Sequence, residues 1–290
     1  MTGLSSRVRE WRDAGGFVDV GRQQIFVRRG QGDGPLLVLL HGYPSSSYDW
    51  RGVLPVLAGR RVLAFDFLGF GLSAKPRLPR YSLMTQADLV ERLVGGEDAL
   101  VVAHDMGTSV ANELMARDLS GRLSFGLRGV FLFNGSMVVE KAHLTPAQRA
   151  LRTRFGPVLA RLANPVMFRM EFRRIFSAAH PLTRAEAEDQ WALLAHGRGH
   201  RLLDRLTNYL RERVEHAPRW HGALRDWPGR LELGWAGEDP VCVEDVLQAV
   251  LALRPGTPLT RWPALGHYPQ LEEPETVAAA IIAFAGSSSP

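Results

Sequence analysis

Two regimes of hydrophobic patterning follow one another along this chain. Residues 18–20 and 24–27 flank Gly21 and predict an antiparallel hairpin. Four short continuous apolar runs come next, at 36–40, 62–65, 100–103 and 130–133. Runs of that length without alternation predict strands buried on both faces of a parallel sheet. Helical stretches separate them, such as 82–93 and 106–119. Strands alternating with helices predict an α/β fold, with helices covering a mostly parallel sheet.

The alternation stops near residue 135. From 135 to 228 the pattern is helical and rich in arginine. Thr145–Gln148 and Thr183–Glu186 each have the sequence of a capping box. Phe168, Phe172, Ile175 and Phe176 fall on one face of a predicted helix, either packing inside this segment or lining a substrate tunnel. Strands resume at 231–235 and 259–262, and a final helix is predicted over 274–284. The sheet domain is therefore expected to comprise 1–134 and 229–290, split by a helical cap at 135–228. Ligands of open α/β sheets bind beyond the C-terminal strand ends, so an insertion after one such end is placed to act as a lid.

Composition narrows the classes. Hydrophobic residues make up 46% of 290 and charged residues 22%, which excludes a disordered or fibrous chain. The single cysteine, Cys242, excludes a disulfide scaffold and reads as a buried small side chain. No signal peptide is expected from the N-terminal residues, and the longest strongly apolar run, 277–285, is too short to span a bilayer. A soluble, cytoplasmic protein is expected. The net charge is +5, but residues 140–230 carry seventeen basic and nine acidic groups, so the remainder is net negative. No basic stretch accompanies a nucleic-acid reading motif, so no nucleic-acid partner is expected. A peripheral contact between the basic cap and lipid headgroups stays open.

The chemistry concentrates at three strand ends. Residues 103–107, AHDMG, close a buried strand and open a helix, with small residues two positions before and after Asp105. This is the pattern of a nucleophile elbow with aspartate at its tip. Asp239 follows the strand at 231–235, and His267 follows the strand at 259–262. Nucleophile, acid and base then occur in α/β-hydrolase order, with Glu238 as the competing acid and Asn134 unable to serve as one. The loop after the 36–40 strand, His41–Gly42–Tyr43–Pro44, is positioned to supply an oxyanion-hole N–H from Tyr43, with Met106 supplying the other. Asp66 and the glycines of DFLGFGLS are expected to shape a neighbouring loop.

These motifs resemble the α/β-hydrolase superfamily, specifically its aspartate-nucleophile branch of epoxide hydrolases and haloalkane dehalogenases. HGYPSSSYDW, DFLGFGLSAKPR, HDMG and HYPQLEEPE are most similar to the mesoderm-specific transcript group. The resemblance implies an alkyl-enzyme ester on Asp105, hydrolysed by water that His267 activates, with Asp239 orienting the imidazole. It implies no cofactor and no metal, and a small apolar-to-amphipathic substrate. Dehalogenases of this branch hold halide with a Trp after the nucleophile and an Asn or second Trp, where this chain has Met106 and Tyr43. Epoxide hydrolases use cap tyrosines, and Tyr209, the only tyrosine of the insertion, is placed similarly to one of them. An epoxide hydrolase-like enzyme is expected. The alternatives are a dehalogenase or other C–X hydrolase, and a catalytically weak lipid or small-ligand binding protein of the same fold.

Overall fold

The computed structural model describes residues 3–286. Helix α1 (Ser6–Asp13) precedes the strands β1 (Gly16–Val20), β2 (Gln23–Gly30), β3 (Gly32–Leu40), β4 (Gly59–Phe65), β5 (Ala99–His104), β6 (Leu127–Phe133), β7 (Leu231–Ala236) and β8 (Leu259–Trp262). They form one eight-stranded sheet in the order β1-β2-β4-β3-β5-β6-β7-β8. β1, β2 and β4 pair antiparallel, and every pairing from β4 to β8 is parallel. The hairpin and all six later strands lie where the hydrophobic pattern predicts them.

Alternation within β3 explains why its apolar run is continuous. Leu36, Val38 and Leu40 face one core with α2 (Leu83–Val94) and α3 (Met106–Leu119). Leu37 and Leu39 face the other, with Phe131, Phe133 and the last helix. Both faces are dry, so neither tolerates a polar residue. α2 starts at Ser82, whose hydroxyl caps Met84 N–H, and stops at Gly95 in the left-handed region. The chain leaves β3 toward β4 on one side and returns to β5 on the other. The crevice between the C-terminal ends of β3 and β5 is thus the topological switch point.

Between β6 and β7 lies a helical insertion of α4 (Pro146–Leu151), α5 (Gly156–Leu162), α6 (Pro165–Phe172), α7 (Arg184–Ala195), α8 (Leu203–Leu206), α9 (Asn208–Glu215) and α10 (Ala217–Asp226). The core closes with α11 (Glu244–Leu253), α12 (Pro269–Glu272) and α13 (Pro274–Gly286). No helix among the described residues is long and apolar enough to cross a membrane.

Two sequence expectations about the insertion change here. The capping box at Thr145 is complete, whereas that at Thr183 is half formed: Thr183 caps Glu186 N–H, but the Glu186 carboxylate turns to Arg51 and Gln190. The predicted aromatic helix also ends early, because the chain leaves α6 through a short 3-10 turn over Arg173–Ile175. There the Ile175 carbonyl accepts a 2.8 Å hydrogen bond from His267 N–H, and Glu272 accepts from Ser177 N–H. Bonds to the core take the place of the next helical turn.

The insertion is locked to α3 through Glu113, a buried carboxylate. It accepts from Arg117 (2.9 Å), from Arg219 through two nitrogens (2.8 and 3.0 Å) and from Trp220 Nε1 (3.0 Å). α7 is held separately, through Tyr48 to Asp189 (2.9 Å) and Gln190 to Asp49 (2.9 Å). Glu113→Ala removes the shared acceptor of all three donors. It is expected to lower unfolding free energy by about 2–3 kcal/mol, read by chemical denaturation. A change near zero refutes its role as the tie between α3 and α10.

Candidate active site

Asp105 occupies φ 44°, ψ −110° at the junction of β5 and α3, outside the regions L-residues favour. Its neighbours are correspondingly tight. A Cβ on Gly42 would sit 2.8 Å from Asp105 Cβ, and one on Gly107 would sit 2.9 Å from the His41 carbonyl. The strand-to-helix turn therefore requires the glycines that the sequence places there. The side chain is buried at the switch point, and its Oδ2 accepts from Tyr43 N–H at 2.9 Å. Met106 opens α3 with its side chain buried. Among the described residues its N–H makes no hydrogen bond to the Asp105 carboxylate. Tyr43 is thus the half of the expected donor pair that this carboxylate engages.

Asp239 and His267 meet as expected. His267 Nδ1 lies 2.7 Å from Asp239 Oδ2. The Asp239 carboxylate also accepts from Val241 N–H (2.7 Å), Cys242 N–H (2.9 Å) and Asn134 Nδ2 (2.8 Å). Burial alone would raise this carboxyl, but the imidazole and these donors outweigh burial and hold it below the usual range. Glu238 turns away to accept from Ala178 N–H. Burial likewise pulls His267 down, but the charges of Asp239 and Asp105 outweigh it and lift the imidazole above 6.5. Donor atoms of Asp239, Cys242 and His267 lie within 4.8 Å of one another. They are knit by their own bonds: Asp239 as above, and Cys242 to the Asn134 carbonyl and Ser136.

Four residues here were not assigned to the site from sequence. Asn134, dismissed there as a failed acid, orients Asp239 and also accepts from Ala236 N–H at 2.9 Å. His104 sits under the His267 loop, its Nε2 2.7 Å from the His267 carbonyl. Burial first, then the neighbouring His267, pulls its imidazole down to about 3, so it stays neutral. Arg213 on α9 is almost fully buried, with Nη2 3.5 Å from Asp105 Oδ1. It also donates to the Asp105 carbonyl (3.0 Å) and to Ser109 Oγ (2.8 Å). One turn earlier, Tyr209 packs under the same guanidinium, 4.7 Å from its ring centroid, and 5.3 Å from the Tyr43 ring. The fourth, Gln148, donates to the Tyr209 hydroxyl at 2.9 Å. Spacing could have linked Tyr209 with Arg213, which are i and i+4 on one helix. Nothing in the sequence marks Arg213 among 33 arginines.

A cavity of about 190 Å³ lies between core and insertion. Tyr43 and His267 line its inner end, and Leu159, Met167, Phe168 and Phe172 line the insertion side. The aromatic face of α6 thus serves both readings made of it: Phe168 and Phe172 stack at 4.9 Å and border this cavity. Its walls are apolar apart from groups such as Gln148, Glu171 and His267.

A strained aspartate elbow, an Asp–His pair from the loops after β7 and β8, and a mixed sheet topped by helices define an α/β hydrolase. The family model for the alpha/beta hydrolase family matches residues 37–280, and the chain belongs to that family. It is similar to a Mycobacterium tuberculosis protein that carries the hydrolase name LipZ, with 51% identity over 281 residues, 96% of this chain and 98% of that one. The mesoderm-specific transcript protein of Mus musculus is 32% identical over 301 residues, covering 98% and 89%. Among solved structures, the haloalkane dehalogenase DbeA from Bradyrhizobium elkani superposes with a TM-score of 0.76 at 23% identity, over 93% and 96% of the two chains. Identity that low speaks for the fold alone.

The His267 assignment has a direct readout. In an NMR titration its imidazole is expected to titrate above 6.5, because two carboxylates favour the charged form. Asp239→Asn removes the nearer charge and lets burial dominate, moving the midpoint below 6.5. A midpoint unchanged by Asp239→Asn disproves the coupling.

Proposed function

We propose that this hydrolase attacks an electrophilic sp³ carbon with Asp105, and that an epoxide is the substrate class its site suits best. The observation that carries the reading is the identity of the elbow residue. An ionised carboxylate needs no base to attack. On an ester or amide it would give an anhydride, an uphill product, whereas on saturated carbon it gives an ordinary ester. The Asp105 Oδ–carbon bond forms as the epoxide C–O bond breaks, and the oxygen leaves as an alkoxide needing a proton. His267 then takes a proton from water, which attacks the Asp105 carboxyl carbon. The Tyr43 and Met106 N–H groups receive the oxyanion, and collapse releases the diol and regenerates the carboxylate. The proton taken by His267 replaces the one given to the alkoxide, which returns His267 and the proton donor to their starting state.

Tyr209 supports the epoxide over the halide. Its hydroxyl accepts from Gln148, and its own proton has no acceptor among the described residues. Burial and the nearby Asp105 charge raise the phenol well above 10, so it stays protonated. We assign to it the protonation of the opening oxygen. Neither Met106 nor Tyr43 offers a halide the side-chain N–H that the dehalogenase resemblance calls for. Arg213 positions the nucleophile, since its guanidinium holds both the main chain and the carboxylate of Asp105.

His267→Gln should leave attack intact and block hydrolysis, so the ester accumulates. Intact-protein and peptide mass spectrometry with an accepted epoxide would then place the adduct on the Asp105 peptide. Unmodified protein with undiminished turnover would falsify both assignments. Tyr209→Phe is expected to slow ring opening by roughly 100-fold or more while leaving bromide displacement from an alkyl bromide much less changed. Ring opening at the wild-type rate removes Tyr209 from the mechanism, and a wild type that releases halide but ignores every epoxide replaces the reading with a dehalogenase. Arg213→Met should lower kcat by roughly 100-fold through a misplaced carboxylate, with KM much less affected. An effect confined to KM reassigns Arg213 to substrate binding.

A further inference from the structure

The insertion presents an outer surface that the proposed chemistry does not use. Six of the ten exposed large apolar side chains among the described residues fall within 155–170. They are Phe155 (57% exposed), Val158 (51%), Leu162 (62%), Val166 (67%), Met167 (48%) and Met170 (53%). All lie on α5 and α6 or at the start of α5. Single exposed apolar residues are ordinary, but a cluster of this kind on consecutive elements marks an interaction surface.

The charges around this cluster have one sign. Between residues 141 and 185 there are nine basic residues and one acid, Glu171, which turns to Arg174 at 2.8 Å. Arg152, Arg154, Arg161, Arg169 and Arg173 are exposed, and none forms an ion pair among the described residues. Arg154 lies over the Phe155 ring, 4.8 Å from its centroid. Arginines interleaved with exposed apolar side chains on short helices suit an anionic lipid surface: the apolar groups enter the acyl boundary, and the guanidinium groups meet phosphates. A second copy of this chain fits less well, because a two-fold contact through this face sets arginine against arginine.

The same helices border the cavity. Leu159, Ala163 and Met167 line it, and Met167 is also 48% exposed, so the cavity wall and the apolar outer face share a side chain. We propose that the α5–α6 face docks the protein on an anionic bilayer and brings the cavity beside the acyl phase. That a bilayer-dissolved, water-insoluble substrate enters there rests on the reading of the site given above; the docking does not.

Co-sedimentation of the full chain with vesicles of phosphatidylcholine, with and without phosphatidylglycerol, tests the docking. Pelleting is expected with the anionic vesicles and is expected to weaken as salt rises. Leu162→Asp/Val166→Asp should abolish it while leaving thermal unfolding unchanged, since both side chains are more than 60% exposed. Arg152→Gln/Arg161→Gln should reduce the partition coefficient by roughly 30-fold. A wild type that stays in the supernatant overturns the proposal, as does a double variant that pellets like the wild type. A wild-type dimer that Leu162→Asp/Val166→Asp dissociates shows a self-association face and overturns it too. Adduct formation on Asp105 in free solution is independent of docking. Adduct without pelleting sinks the docking alone, and pelleting without adduct sinks the chemistry alone.

Discussion

Asp105 is held at φ 44°, ψ −110°, a conformation costing on the order of 1–3 kcal/mol that persists only where its surroundings over-determine it. Those surroundings account for much of the molecule. β3 and β5 are neighbours in the sheet, and the two loops leaving them meet only because Gly42 and Gly107 carry no Cβ. The turn aims the carboxylate at the Tyr43 N–H and toward the loops that carry Asp239 and His267. Each partner is braced in turn: Asp239 by Asn134 and two backbone N–H groups, His267 by Ile175 from the insertion and by His104 beneath it. A buried polar cluster tolerates strain when its donors are matched in this way, because each unmade bond in a dry interior is expensive.

The insertion contributes structure to the site as well as covering it. Arg213 reaches across to Asp105, Gln148 fixes the Tyr209 hydroxyl, and the chain after α6 binds the His267 main chain. Glu113 fastens α10 to the helix that begins immediately after Asp105. A movement of these helices therefore changes the polar contacts of the site. The wall formed by α5 and α6 differs: its outward side chains contact solvent, and the structure leaves that face uncovered.

Much of this was legible in the sequence, for identifiable reasons. Continuous apolar runs buried on two faces allow few alternatives, so the strands and their alternation with helices followed directly. The elbow was legible because the turn excludes all but small neighbours at fixed offsets. Bonds closed by tertiary contact were not legible. Local periodicity extends α6 through Phe176, but the Ile175 carbonyl committed to His267 ends it sooner. Glu186 has the sequence of a capping residue and the structure of an ion-pair partner. Asn134 could be read only as a missing acid, since its value lies in the amide it offers to Asp239. Arg213 was hidden by abundance: in an arginine-rich segment, one buried guanidinium has the same sequence signature as its exposed neighbours.

The pairing of Arg213 with Asp105 has a consequence for charge parity within the proposed cycle. In the resting protein a buried cation faces a buried anion, and the two offset each other's lost hydration. Esterification of Asp105 would cancel the anion and leave the guanidinium in place, still almost fully enclosed. In the proposed ring opening the negative charge passes to the alkoxide and, once that is protonated, to the Tyr209 oxygen, whose ring lies 4.7 Å from the same guanidinium, so the buried cation keeps an anionic neighbour. Regenerating the carboxylate restores the pair. On the proposed chemistry Arg213 would therefore face two anions in turn, the Asp105 carboxylate before attack and the Tyr209 oxygen after it, without moving.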